Sequence, residues 1–372
     1  MKKLFIYQII IMLFIGLVNN ADSESETQKN IILQEQGSFA VGGTVFVEPG
    51  KFDPIKHGVF DPAGPQSVGQ TRHGDHAYVF YQIPTGARKH PIVFWHGYGQ
   101  SAKTWETTPD GREGFQNIFL CRGFPVYLMD QPGRGRAAKA NRGTAITAAA
   151  DEQLWFGIFR LGVWPNFYEG VSFSRKPEAL NQFFRQAVPD AGPGFQSDLY
   201  VDATSALFDR IGNAILVTHS ASGGLGWKLA LKNKNIRAIV SYEPGGGFIF
   251  PEGENVEPIK LGARVLQPIF VPKAEFIKFT KIPIVLYYGD NIPDKPSENP
   301  GKEQWRVFLT MAKQWAEVVN RYGGDVTVVH LPSIGINGNT HFPFSDLNNV
   351  QIADLMSEFL NRKGLDWTDE SD

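Results

Sequence analysis

A series of short apolar runs, each stopped by a polar or turn-forming residue, constrains this chain more than any other feature. Pro91–Trp95 stops at His96-Gly97, and Phe124–Met129 at Asp130. Ala214–Val217 leads into Thr218-His219-Ser220, and Ile236–Tyr242 into Glu243-Pro244. Ile282–Tyr288 ends at Gly289-Asp290, and Val326–Leu331 at Pro332. Runs that are apolar at consecutive positions are the pattern of strands covered on both faces. Two further strands are predicted upstream, over Gly37–Val47 and Ala77–Tyr81. Helical periodicity fills several gaps: Leu225, Leu229 and Leu231 after Ser220, then Trp305, Phe308, Met311, Ala312, Trp315 and Val318. A last helix, predicted to start near Ser345 as N-cap, carries Leu347, Val350, Leu355, Phe359 and Leu360. Strands alternating with helices predict an α/β fold, a mainly parallel central sheet with helices on both faces. In such sheets the chemistry gathers beyond the carboxyl ends of the strands.

Residues 137–205 break the alternation. They carry no buried strand but hold the aromatic stretches Leu154–Phe159 and Val163–Tyr168. A stretch this long between elements is usually functional. It reads as an inserted helical cap, against the alternative of a surface excursion with a small core of its own. That leaves 37–136 and 206–365 as the core, and a length of 372 residues suits one such domain with an insertion. At the N-terminus, Lys2 and Lys3 precede the apolar run Leu4–Val18 and the small residue Ala21. The run is short of the roughly 20 residues that span a bilayer. A signal peptide over 1–21, a linker over 22–36 and export to the periplasm or medium are expected, with no stable membrane insertion once the signal is removed. The single Cys121 cannot form an internal disulfide and reads as a small buried hydrophobe. A net charge of −2 without a basic stripe argues against nucleic-acid binding. The 28 Phe, 11 Tyr and 8 Trp suit a large core and an apolar substrate pocket.

Ser220 follows a predicted strand and precedes a predicted helix, the setting of a nucleophile elbow. The pattern G-x-S-x-G is not met literally: Thr218 and Ser222 stand where the glycines would, with Gly223-Gly224 behind them. The competing reading is a plain helix N-cap. A serine nucleophile needs a base, and only His330 and His341 follow Ser220. His330 lies inside a strand run, whereas His341 lies in the loop between the last strand and the last helix, so His341 is the candidate base. Glu243 and Asp290 each end a strand, and position alone leaves both open as the acid. The developing oxyanion needs backbone amides. Ala221 supplies one, and Tyr98 or Gly97, in the loop after Trp95, the other; His96 reads as structural. Gly133-x-Gly135-x-x-Ala138 mimics a dinucleotide fingerprint, but no second strand leads to an acid at the right distance. His73-Gly74-Asp75-His76 reads as a turn without the further ligands a metal needs.

Taken together, these residues resemble the α/β-hydrolase superfamily. Gly97–Gln100, Thr104–Glu106, Thr108–Gly114, Asp130–Arg136 and Asn339–Pro343 are similar to the esterase 713-like subgroup of bacterial serine esterases. The resemblance implies an α/β-hydrolase fold, and an acid after the strand that follows the nucleophile, which selects Glu243. It also implies hydrolysis of a small-molecule carboxylic ester through an acyl-enzyme, without cofactor or metal. A homodimer is left open. The same residues would serve a lactonase or amidase, and the fold also hosts non-catalytic ligand-binding members.

Overall fold

The computed structural model describes residues 30–60, 67–143 and 145–368. The expected signal peptide and most of the expected linker lie outside them. The unit that begins at Ile31 is built on eight strands. They are β1 (Leu33–Val47), β2 (Thr71–Pro84), β3 (Ile92–Trp95), β4 (Val126–Asp130), β5 (Ala214–His219), β6 (Ile236–Tyr242), β7 (Pro283–Tyr288) and β8 (Asp325–His330). Their order across the sheet is 1-2-4-3-5-6-7-8. β2 runs antiparallel to both its neighbours, and the strands from β4 across to β8 are parallel. The sheet is the doubly covered, mainly parallel one expected from the apolar runs.

Every side chain of β3 and β5 is buried, which is why those runs show no polar alternation. Ile92 and Phe94 face one apolar cluster, with Val217, Val240, Ile352 and Phe359; Val93 and Trp95 face the other, with Leu216, Trp227 and Trp315. The α-helices of more than one turn are α1 (Phe115–Cys121), α2 (Glu152–Ile158), α3 (Pro177–Arg185), α4 (Ser197–Ile211), α5 (Ala221–Lys232), α6 (Pro300–Arg321) and α7 (Asn349–Arg362). Register sets the functional end of the sheet: Trp95 pairs with Thr218, His219 with Tyr242, and Tyr287 with Tyr242. The carboxyl ends of β3, β5, β6 and β7 therefore finish side by side.

Several expectations are corrected. Four residues of the expected linker, Leu33–Gln36, already belong to β1, whose pairing with β2 extends to Pro84. His73–His76 are not a turn; they lie within β2, paired with β1. Cys121 is exposed rather than buried: α1 buries Phe115, Ile118, Phe119 and Leu120, which leaves its last residue on the outer side. The boundary at residue 205 falls inside α4, a helix whose buried Val201, Ala203, Leu207 and Phe208 belong to the core of the sheet. The last helix starts at Asn349, because Ser345 and Asp346 fold back onto Phe342 through backbone bonds. Among the described residues, no helix is long and apolar enough to cross a membrane.

Candidate active site

Ser220 sits between β5 and α5 with φ 55° and ψ −116°, a conformation that non-glycine residues rarely hold without support. The support is visible. Its N–H donates to Tyr242 O at 3.0 Å, and its carbonyl accepts from Gly223 N and Gly245 N, both at 3.0 Å. Its hydroxyl does not cap the helix, so the plain N-cap reading does not apply. The two residues in place of glycines brace the turn with hydroxyls. Thr218 Oγ1 donates to Ser241 Oγ at 2.7 Å, and Ser222 Oγ accepts from His219 N at 2.9 Å and donates to Trp95 O at 3.0 Å. The position that admits no side chain is Gly223, where a Cβ would lie 2.5 Å from Pro244 Cβ. Gly97 is equally confined: its Cβ would lie 2.9 Å from Ser220 Cβ. The loop after β3 is therefore packed directly onto the elbow.

His341 and Glu243 meet each other, and His341 is tied to the residue before Ser220, although its Nε2 makes no hydrogen bond to Ser220 Oγ. His341 Nδ1 is 3.3 Å from Glu243 Oε2, and both residues are fully buried. The peptide of His341 is clamped at both ends. Its N–H donates to Phe159 O at 2.9 Å, and its carbonyl accepts from Nε2 of His219, the residue before Ser220, at 2.9 Å. Its ring stacks on Phe159, centroids 5.2 Å apart and planes at 11°, with Trp305 at 4.1 Å on another side. Asp346 holds the preceding residues, accepting from Thr340 N at 2.7 Å, Thr340 Oγ1 at 2.8 Å and Asn339 Nδ2 at 3.1 Å. Burial drives the imidazole of His341 down to about 4, against the pull of Glu243, so it rests neutral. Its Nε2 is buried and has no protein partner among the described residues.

Glu243, like Ser220, has a left-handed backbone, φ 52°. Its Oε1 accepts from Arg160 Nη2 at 2.6 Å and from the amide of Gly289. Burial alone would raise this carboxyl; the Arg160 charge and the His341 contact outweigh it and hold Glu243 below the usual carboxylate range. Asp290 is placed otherwise: its carboxylate accepts from Gly338 N at 2.7 Å and from Asn291 N, so it serves the loop backbone and not the imidazole. His330 ends β8, half-buried. Arg160 went unread in the sequence, although its signal was there: a lone cation closing the aromatic stretch Trp155–Phe159. It too is fully buried and has a left-handed backbone, φ 59°.

The amides of Tyr98 and Ala221 have no protein acceptor among the described residues; Ala221 opens α5, and the first N–H groups of a helix generally lack one. His96 is buried; its Nδ1 lies 2.9 Å from Gly97 O and its Nε2 accepts from Gln131 N at 3.2 Å, which fixes the loop. A cleft of about 530 Å³ opens from Tyr98, lined by Arg134, Trp155, Phe159, Phe183 and Phe184 among others; Ser220 is not in its wall. The glycines of the dinucleotide-like turn pack on carboxylates instead, Gly133 on Asp190 and Gly135 on Asp130. A Cβ on Gly135 would lie 2.7 Å from Asp130 Oδ2, and that carboxylate accepts from the amides of Ala102 and Arg136.

Comparison with known proteins agrees with this architecture. The model of the alpha/beta hydrolase family matches residues 92–333, a span that holds Ser220 and Glu243 and stops short of His341. A probable secreted lipase, phiG, from Fungal sp. (strain ATCC 74256) is 28% identical over 313 residues, covering 77% of this chain and 86% of its own. A solved structure described as a novel bacterial esterase is 30% identical, with a TM-score of 0.71, and the match covers 90% of this chain and 98% of that one. Since the family model spans well over half of the sequence and its strands appear here in the expected order, this chain belongs to the alpha/beta hydrolase family.

Proposed function

We propose that the protein is a serine hydrolase of carboxylic esters, with Ser220 as nucleophile, His341 as general base and Glu243 as the acid that orients it. The contact between His341 and Glu243 carries the reading, because the carbonyl of the same histidine is tied to His219, next to Ser220. Ser220 Oγ attacks the ester carbonyl while His341 Nε2 takes its proton. The ionised Glu243 stabilises the imidazolium. The amides of Ala221 and Tyr98 receive the oxyanion of the tetrahedral intermediate. As that intermediate collapses, the bond to the alcohol breaks and His341 returns the proton to the leaving oxygen. Water, deprotonated by the same base, then releases the acid from Ser220.

The esterase and lipase names of the two relatives support this chemistry. The aromatic cleft beside Tyr98 suits an ester with an apolar arm. Residues 138–196, with α2 and α3, act as the cap, since Trp155, Phe159 and Phe183 wall the cleft from that segment. The secreted relative supports export. The test is hydrolysis of p-nitrophenyl acetate and butyrate by the wild type, Ser220→Ala, Glu243→Ala and Asp290→Ala. The wild type turns over, Ser220→Ala is inert, and Glu243→Ala loses more activity than Asp290→Ala. A wild type that is inert on both esters and unreactive towards a fluorophosphonate probe overturns the reading.

A further inference from the structure

Residues 158–160 touch the acid, the base and the loop between them. Arg160 Nη2 donates to Glu243 at 2.6 Å, and its Nε donates to Asp290 O at 2.8 Å. Its guanidinium lies over Trp305, 5.2 Å from the ring centroid. The indole of Trp305 donates to Ile158 O at 2.7 Å and its ring packs on His341. Phe159 offers its carbonyl to His341 N and its ring to the imidazole face. These residues close α2, and Phe159 stacks on Trp155, 5.1 Å between centroids, the two rings lining the cleft together. Arg160 is not in the cleft wall, so a role in binding substrate directly does not account for it.

A guanidinium with no exposure is costly to bury, and this one is held at a strained backbone position. Packing alone would be met by an apolar side chain of similar size. Glu243 has no other cation within ion-pair distance among the described residues except a protonated His341. We infer that Arg160 is a positioning residue: from the segment inserted after β4, it holds Glu243 ionised and aligned on His341, so that the acid–base pair is competent only while that segment is docked. The inference rests on the proposed triad and adds to it the element on which the triad depends.

The groups facing the pair set the sign of the effect. Arg160 and the amide of Gly289 favour an ionised Glu243. His219 borders His341, Asp346 holds the preceding Thr340, Tyr288 lies near Glu243, and His330 and Asp290 stand further along the strand ends. Without Arg160 the pair takes up a proton at higher pH, whichever member receives it, because the one fixed positive charge beside it is gone.

The experiment compares wild type, Arg160→Lys and Arg160→Met as kcat and KM for p-nitrophenyl butyrate from pH 4 to 8. Arg160→Met is expected to lose at least about tenfold in kcat with KM within about twofold, and its acid limb to move up by about one pH unit. Arg160→Lys, which keeps the charge, falls between the two. Should Arg160→Met fold poorly, Arg160→Met/Glu243→Gln, which removes both charges, is expected to melt above the single variant. An active wild type with an Arg160→Met profile superimposed on its own overturns this inference and leaves the triad standing. So does a double variant no more stable than the single one. A wild type inert on esters overturns the triad reading and this inference together.

Discussion

At the residue scale, the proposed triad makes His341 the group that sets the pH range of the reaction. Burial holds its imidazole down to about 4. The neutral form is the base, so the acid limb of kcat/KM is expected well below the ordinary histidine value near 6.5, and a pH–rate profile measures it. Gly223 sets the geometry. Gly223→Ala pushes a methyl into Pro244, and a loss of about 1–3 kcal/mol in a urea melt is expected, together with lost turnover. What was legible at this scale was the placing of Ser220, since a strand run and a helix pattern meet there. By position alone Glu243 and Asp290 could not be separated, because both end strands at the same edge, and only the family resemblance favoured Glu243. Three-dimensional contacts separate them: only Glu243 reaches the imidazole, while Asp290 is taken up by the amides of Gly338 and Asn291. Arg160 showed in the sequence only as a cation closing an aromatic stretch; its role was illegible because its partner lies 83 residues away, across the fold.

The elements differ in how openly the sequence declares them. The central strands were readable because both their faces are buried, which makes them apolar throughout. β1 was harder, because it lies at the sheet edge with most of its residues exposed, and its start was placed four residues late. α4 was absorbed into the presumed insertion, since its polar face masks the apolar one that packs on the sheet. The loop before α7 belongs to this scale as well. It stays in shape because one carboxylate, Asp346, gathers three donors around Thr340 and Asn339. Asp346→Ala leaves those donors buried without an acceptor. We expect a loss of about 3 kcal/mol by thermal or chemical denaturation, and a fall in kcat as His341 drifts from Glu243.

For the whole molecule, buried histidines set the response to acid. His96, His219 and His341 are each driven below 6.5 by burial, His96 and His341 to about 4. Between those values the unfolded chain binds protons that the folded one refuses, so stability is full above about 6.5 and drains as pH falls towards 4. Asp346, pushed up to about 7 by its burial, pulls the opposite way over the same window, one group against these three and the half-buried His330, which burial also lowers. A Tm that declines steadily from pH 7 to pH 4.5 is the expected result; a level or rising Tm contradicts it. The double clamp on the peptide of His341 has a further consequence. Its donors and acceptors come from Phe159 and from His219, 122 residues away along the chain, and its carboxylate partner is 98 residues away. No local segment can assemble such a cluster, and contacts this distant in sequence form late. During renaturation, regained hydrolysis would then lag behind regained helix, and catalysis itself becomes the clock by which completion of the last long-range closure is timed.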